Sequence, residues 1–207
     1  MGKEVGKMLS DIAFVIEALD GYRSGRHIDP KRVSEKVNRW HEIEESLPRK
    51  WLSLQRDIDA LINLTLRDPD IKKFANVYVL IKFGLRIVYV LLLSSFFMLI
   101  RWPDIGMLVI YGSLGMLYFL LIVRWYVLDK MFTYYERVIS SQPGKVEQLK
   151  LAVNSLIKTL TEYLEKEQVS SKKYRLHLFN TDYNGIRILK KPGWLRDYYL
   201  CEVVGGK

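Results

Sequence analysis

Residues 77–100 and 105–128 are two runs of 24 residues each, almost wholly apolar, separated only by Arg101, Trp102, Pro103 and Asp104. Lys82 and Arg86 are the charged residues of the first run, and Arg124 is that of the second. A helix needs about 20 mostly apolar residues to cross a hydrocarbon layer of about 30 Å, and both runs are long enough. Buried helices of a soluble core are the competing reading. Such helices keep a polar face, whereas here leucine, phenylalanine, valine and tyrosine occur all round. The expected fold class is a mostly α membrane protein, built on a two-span transmembrane helical hairpin. An N-terminal cytoplasmic helical bundle is expected over residues 1–76. A cytoplasmic helical extension and a small α+β domain with an antiparallel hairpin are expected over 129–207.

Charge supports that layout. Basic exceeds acidic by 1 in residues 1–76, by 3 in 77–128 and by 5 in 129–207, which makes up the net +9 of the 207-residue chain. Such a balance can serve nucleic acid, but positive charge beside apolar helices is also what keeps flanks on the cytoplasmic side. Arg67, Lys72 and Lys73 lie before the first run, and Lys130 and Arg137 after the second. The chain is therefore expected to be an integral membrane protein, of the cell membrane if prokaryotic, with both termini cytoplasmic and the Arg101–Asp104 turn outside. With polar residues 1–76 ahead of it, the first run is a retained span, not a cleavable signal. The single cysteine, Cys201, excludes an internal disulfide framework and fits a reducing compartment.

The N-terminal region reads as helices. Val5, Met8, Ile12, Val15, Ile16 and Leu19 recur at three and four, one buried stripe. Asp29 and Asp68, each followed by proline, are expected N-caps. The stripes that follow are Val33, Val37, Trp40 and Ile43, then Trp51, Leu54, Ile58, Leu61, Ile62 and Thr65. After the second run, helical composition continues to Gln142, Pro143 and Gly144. Val146, Leu149, Val153, Leu156, Leu160 and Tyr163 then have the spacing of a coiled-coil seam. Ala152, Ile157 and Leu164 widen it to what ordinary packing within a domain requires, and that plainer reading takes precedence.

Beyond residue 170 the period turns to alternation. Tyr174, Leu176 and Leu178 share one face, Ile186 and Ile188 another, and Asn184–Gly185 between them is a hairpin signal. A third candidate strand follows near Cys201. The outward face is basic, with Lys172, Lys173, Arg175, Arg187, Lys190 and Lys191 against Asp182. A solvated lysine-rich face is the plain reading and anionic lipid the second. Nucleic acid is not the expected partner, although Tyr183 and Trp194 could stack on bases.

An ionisable group inside a span is a functional hypothesis by default. Lys82, Arg86 and Arg124 fall near the cytoplasmic ends of the spans, where long basic side chains reach the headgroups. A lipid-anchoring band is the first expectation and an anion path the second. Ser94, Ser95, Gly112, Ser113 and Gly115 are candidates for packing between spans, because small residues allow close approach. Trp102 and Arg101 suit a membrane interface, Pro103 breaks the first helix, and Asp104 is expected to cap the second. If subunits form a ring, Asp104 stands at its outer mouth.

Conventional chemistry is absent from the pattern. His27, His41 and His177 have no metal-ligand spacing, and no phosphate loop or nucleophile motif occurs. No cofactor, metal or catalytic residue is expected, and an enzyme is the least favoured class. Residues 101–119 resemble the pore entry of the mitochondrial calcium uniporter family, where Trp and Asp precede the second of two spans. That motif needs a second acid one turn after the Asp. Met107 and Leu108 stand there instead, so calcium selectivity does not carry over and membership is not claimed. The functional expectation is a non-catalytic membrane anchor or scaffold subunit acting through oligomeric assembly, with the bilayer and a second copy or another membrane subunit as partners. The alternative is a homo-oligomeric ion channel or pore-forming effector gated by its cytoplasmic domain.

Overall fold

The computed structural model describes residues 3–26, 28–193 and 196–204. It divides into two compact units, one of Met1–Thr65 with Glu136–Lys207, the other of Leu66–Tyr135. The chain regions on either side of the apolar runs therefore share one unit. The reason is a common core. Ile12, Ile16 and Leu19 from the N-terminal stretch are fully buried in one cluster with Leu149, Leu156 and Leu160.

In this first unit, α1 (Lys3–Arg23) packs against α7 (Pro143–Lys166), with α2 (Pro30–Arg39), α3 (His41–Ser46) and α4 (Trp51–Arg67) completing the helical layer. Asp29 caps α2 by accepting from the Lys31 amide at 3.0 Å, with Pro30 at the first helical position. The stripe that could have been a coiled-coil seam is consumed inside the chain. Leu149, Val153, Leu156 and Leu160 are fully buried, as are Ala152 and nearly Ile157. No seam is left for a second copy, because α1 already fills that side of α7. Two polar joints tie the helices together. Asp11, buried on α1, accepts from Lys36, Arg39 and Trp40, and Ser155 on α7 donates to the Ser46 carbonyl.

Three short strands complete this unit: β1 (Leu176–Leu178), β2 (Ile186–Lys190) and β3 (Tyr199–Val203). Their order is β1-β3-β2, all antiparallel. The hairpin expected between β1 and β2 does not form, since β3 lies between them. The physical cause is Asp20. Its carboxylate accepts from the backbone amides of Phe179 and Asn180, from the Asn180 side chain and from the Tyr183 hydroxyl, drawing the chain after β1 onto α1. Gly185, at φ +73°, still makes the turn that Asn184–Gly185 signalled, and its carbonyl accepts from Val204 to start the β2–β3 pairing. Tyr183 is consequently buried and cannot stack on a base. Trp194 and His27 lie outside the described residues.

The second unit holds α5 (Pro69–Arg101), of 33 residues, and the greater part of α6 (Pro103–Ser140), of 38. At 1.5 Å per residue they are about 50 and 57 Å long. Both are long and apolar enough to cross a membrane. Asp68 caps α5 by accepting from the Asp70 and Ile71 amides, each at 3.0 Å. Trp102 alone separates the two helices. Asp104 does not act as the cap, because the cap position precedes the first helical residue and Asp104 is already the second residue of α6. Its carboxylate is exposed and takes no hydrogen bond among the described residues.

Candidate functional site: an apolar hairpin and a basic sheet face

Three contacts set the register of the two long helices. At the turn, a methyl built on Gly106 would sit 2.7 Å from the Leu99 amide nitrogen and 2.8 Å from its Cα, a clash with backbone. Only glycine allows the chain to reverse this tightly. Further along, a methyl on Gly84 would stand 3.3 Å from Leu120 Cδ1. At the far end the Phe74 and Tyr134 rings are 5.5 Å apart. These pairs mirror one another about Trp102, so the helices run antiparallel along most of their length.

The facing residues follow a strict alternation of three and four. On α5 they are Ile71, Phe74, Tyr78, Ile81, Leu85, Val88, Leu92, Ser95 and Leu99, every one buried or half-buried. On α6 the same spacing runs from Gly106 through Ile110, Ser113, Leu117, Leu120, Arg124, Val127 and Met131 to Tyr134, again with no exposed member. The coiled-coil period therefore belongs to the hairpin itself. Ser95 and Ser113 are the buried polar members of the seam, and both are small. Ser95 satisfies its hydroxyl on the Leu92 carbonyl at 2.7 Å. The outward positions carry the bulk: Phe97 is 77% exposed, Leu108 74% and Trp125 69%.

Against this frame the expected residues separate. Ser95 and Ser113 face the partner helix, whereas Ser94 is half-buried and bonds the Leu91 carbonyl. Gly112 and Gly115 are exposed, and a methyl on either would meet nothing within 4 Å. Lys82 and Arg86 are exposed on the outside of α5, while Arg124 is half-buried on the seam. The three basic residues therefore do not converge on one path. The Lys82 ammonium lies 4.8 Å from the Tyr78 ring centre, one turn back towards the start of α5.

The second candidate is the outer face of the sheet. Register places Leu176, Ile188 and Cys201 in one row and His177 with Leu200 in the next, so alternate rows face opposite sides. Leu176, Leu178, Cys201 and Val203 turn towards the core. Arg187 pairs with Glu202 on the other side, and the irregularity after Ile188 brings Lys190 opposite Leu200, onto that same outer side. Glu202 accepts from Ser171 at 2.7 Å and from Arg187 at 2.6 Å, and these bonds hold its carboxyl below the usual range. Lys172 and Lys173 follow Ser171, and Lys172 contributes to the field at Glu202. All six basic residues expected to form the patch, Lys172, Lys173, Arg175, Arg187, Lys190 and Lys191, are exposed. Among the described residues only Arg187 has a carboxylate partner. Asp182, counted with the patch from sequence, is held elsewhere by Arg23 and Lys150.

Three residues that position this face were not singled out from sequence. Glu17 accepts the His177 amide at 2.7 Å, and Asp20 accepts that of Phe179, so two carboxylates of α1 satisfy alternate donors along the edge strand β1. Asn154 of α7 accepts the Asn184 amide. The signal for Asp20 lay in the stripe itself, since it follows Ile16 by four and so shares the buried face. Burial pushes its carboxyl above the ordinary aspartate value, and the bonds from Tyr183, Asn180 and Phe179 act against that shift. No family model, curated protein or solved structure matches the chain.

Proposed function

We propose that the chain is a non-catalytic membrane anchor or scaffold subunit whose hairpin crosses the bilayer and assembles with further copies or with another membrane subunit. The observation that carries the reading is the exposure of large apolar side chains along the hairpin. Phe97, Leu108 and Trp125 are among many that point outward, an arrangement that suits a helix pair whose solvent is hydrocarbon. Only 17% and 11% of the most apolar windows of α5 and α6 are buried. Core helices of a soluble protein would be mostly covered.

With Trp102 and Pro103 at one surface, about 20 residues of each helix lie within the hydrocarbon. The opposite surface then falls near Lys82 and Arg124. Lys82 bends away from the apolar half, as a snorkelling lysine does. The unequal positive charge of the flanks supports a cytoplasmic location for both termini.

A conducting assembly is the second reading. It is favoured by α6, which continues unbroken for 38 residues out of the apolar stretch and could transmit movement of the α+β unit. Two spans cannot enclose a path, so conduction would also require a ring of copies.

The test is the mass of the protein in zwitterionic nanodiscs after alkaline extraction of membranes. Retention in the membrane pellet, with two or more copies per disc or a co-purifying subunit, supports assembly. Release by alkali removes the membrane reading, and a lone monomer per disc removes the assembly. Ion flux in liposomes separates the two uses of an oligomer.

A further inference from the structure

We infer that the outer face of the β1-β3-β2 sheet docks on an anionic lipid surface. Arg187 and Lys190 lie on this face by strand register, and Lys172 is near enough to act on the Glu202 carboxylate; Lys173, Arg175 and Lys191, all exposed, adjoin them in the 3-10 turn, ahead of β1 and after β2. The carboxylate that shares this face, Glu202, is only 4% exposed and is bonded to Arg187 and Ser171, so it presents little negative charge outward. Asp182, Glu17 and Asp197, other acids near the strands, are paired with Arg23 and Lys150, with His177 and with Arg26.

The shape of the face selects among anionic partners. The larger clefts, of about 590 and 640 Å³, are lined by α7 with Asn184, Gly185 and Val204, and by residues of α2 and α4. The basic residues line neither, which disfavours a single small anion held in a cavity. Sequence-tolerant binding of a nucleic-acid strand uses aromatic rings free to stack on bases. Here Tyr183 is buried on Asp20, and Tyr198 is occupied by the His177 ring at 4.6 Å and by Arg196. What remains among the described residues is a spread of flexible point charges, mostly lysine, without stacking platform or pocket. That chemistry fits a diffuse, laterally mobile layer of negative headgroups, which attracts each basic group additively and is screened by salt.

The inference rests on the membrane reading, and the experiment keeps the two apart. Full-length protein is placed in nanodiscs of phosphatidylcholine alone or of phosphatidylcholine mixed with phosphatidylglycerol. Lysine acetylation by a neutral reagent is then followed by peptide mass spectrometry. Lys31 and Lys158, both exposed and in helices of the same unit, are internal controls. The expected result is several-fold slower acetylation of Lys172, Lys173, Lys190 and Lys191 relative to the controls, only in anionic discs and reversed by ~0.5 M salt. The double variant Lys190→Glu, Lys191→Glu should lose the protection at Lys172 and Lys173 while the controls stay unchanged.

Equal reactivity in both discs overturns the inference. So does protection that needs an added RNA oligonucleotide or an acidic peptide and ignores the lipid. Failure of the protein to enter zwitterionic discs overturns the membrane reading instead.

Discussion

The two units of this chain solve the packing problem in opposite ways. In the α+β unit the interior holds leucine, isoleucine and valine, and the buried carboxylates of Asp20 and Asp11 are hydrogen-bonded. In the hairpin the seam holds Gly106, Ser95 and Ser113 among its members, and Phe97, Ile100 and Leu108 point outward. Water drives large apolar groups inward at about 25 cal/mol per Å² buried. On the proposed membrane reading the hairpin lies in hydrocarbon, which gives no such drive, so large apolar side chains can stay on its outside.

Equal deletions in the two units should therefore have unequal effects. Leu156→Ala, at a fully buried position of the first unit, should cost about 4 kcal/mol. The expected readout is a lower thermal midpoint of near-ultraviolet dichroism in detergent. Asp20→Ala strips the acceptor from two amides, a side-chain amide and a hydroxyl at once, and should cost about 3 kcal/mol. Amide exchange at Phe179 and Asn180 is the sensitive measurement, since both amides would lose their partner.

Gly106→Ala tests the hairpin turn. Its methyl would meet Leu99 backbone, and a penalty of about 2 kcal/mol is expected, seen as lowered yield of folded protein in the membrane fraction. Asp182→Asn has a smaller, pH-dependent effect. Bonds from Arg23 and then Lys150 pull its carboxyl down to about 2, below the ordinary aspartate value of 3.8. A lowered carboxylate pKa adds stability that is complete above the unfolded value and disappears as pH falls through the folded one. Wild type should thus lose stability between about pH 4 and pH 2 relative to Asp182→Asn. With this side chain 45% exposed, solvent screening limits the effect to about 1 kcal/mol. Phe97→Ala, on the outside of the hairpin, should shift stability by less than about 0.5 kcal/mol in detergent. A loss as large as that of Leu156→Ala would place Phe97 in a protein core and erase the contrast.

Much of this arrangement is legible in the sequence, and what is hidden is hidden for physical reasons. The apolar runs, the Asp-Pro caps at 29–30 and 68–69 and the stripe of α7 are local patterns, and each appears in the structure where its spacing placed it. The use of the α7 stripe is not local. Alternation of three and four serves a partner chain and an internal helix alike, and α1, far away in sequence, decided between them. Strand order depends on Asp20 meeting Tyr183 across 163 residues. The hairpin seam left no binary pattern at all, because outward-facing and helix-facing positions are both apolar. Side-chain size was the remaining signal. It singled out Ser95 and Ser113, which are buried, and equally Gly112 and Gly115, which face outward.

The proposed membrane crossing is tested most directly by thiol labelling in intact cells. The native thiol gives little background, since Cys201 is buried and its ionisation is pushed up to about 11. Asp104→Cys and Lys145→Cys replace an exposed and a half-exposed residue, the first beside the turn and the second at the start of α7. A membrane-impermeant maleimide should label Asp104→Cys in intact cells and Lys145→Cys only after permeabilisation. Labelling of both, or of neither, before permeabilisation would contradict a hairpin that crosses the bilayer with its termini inside.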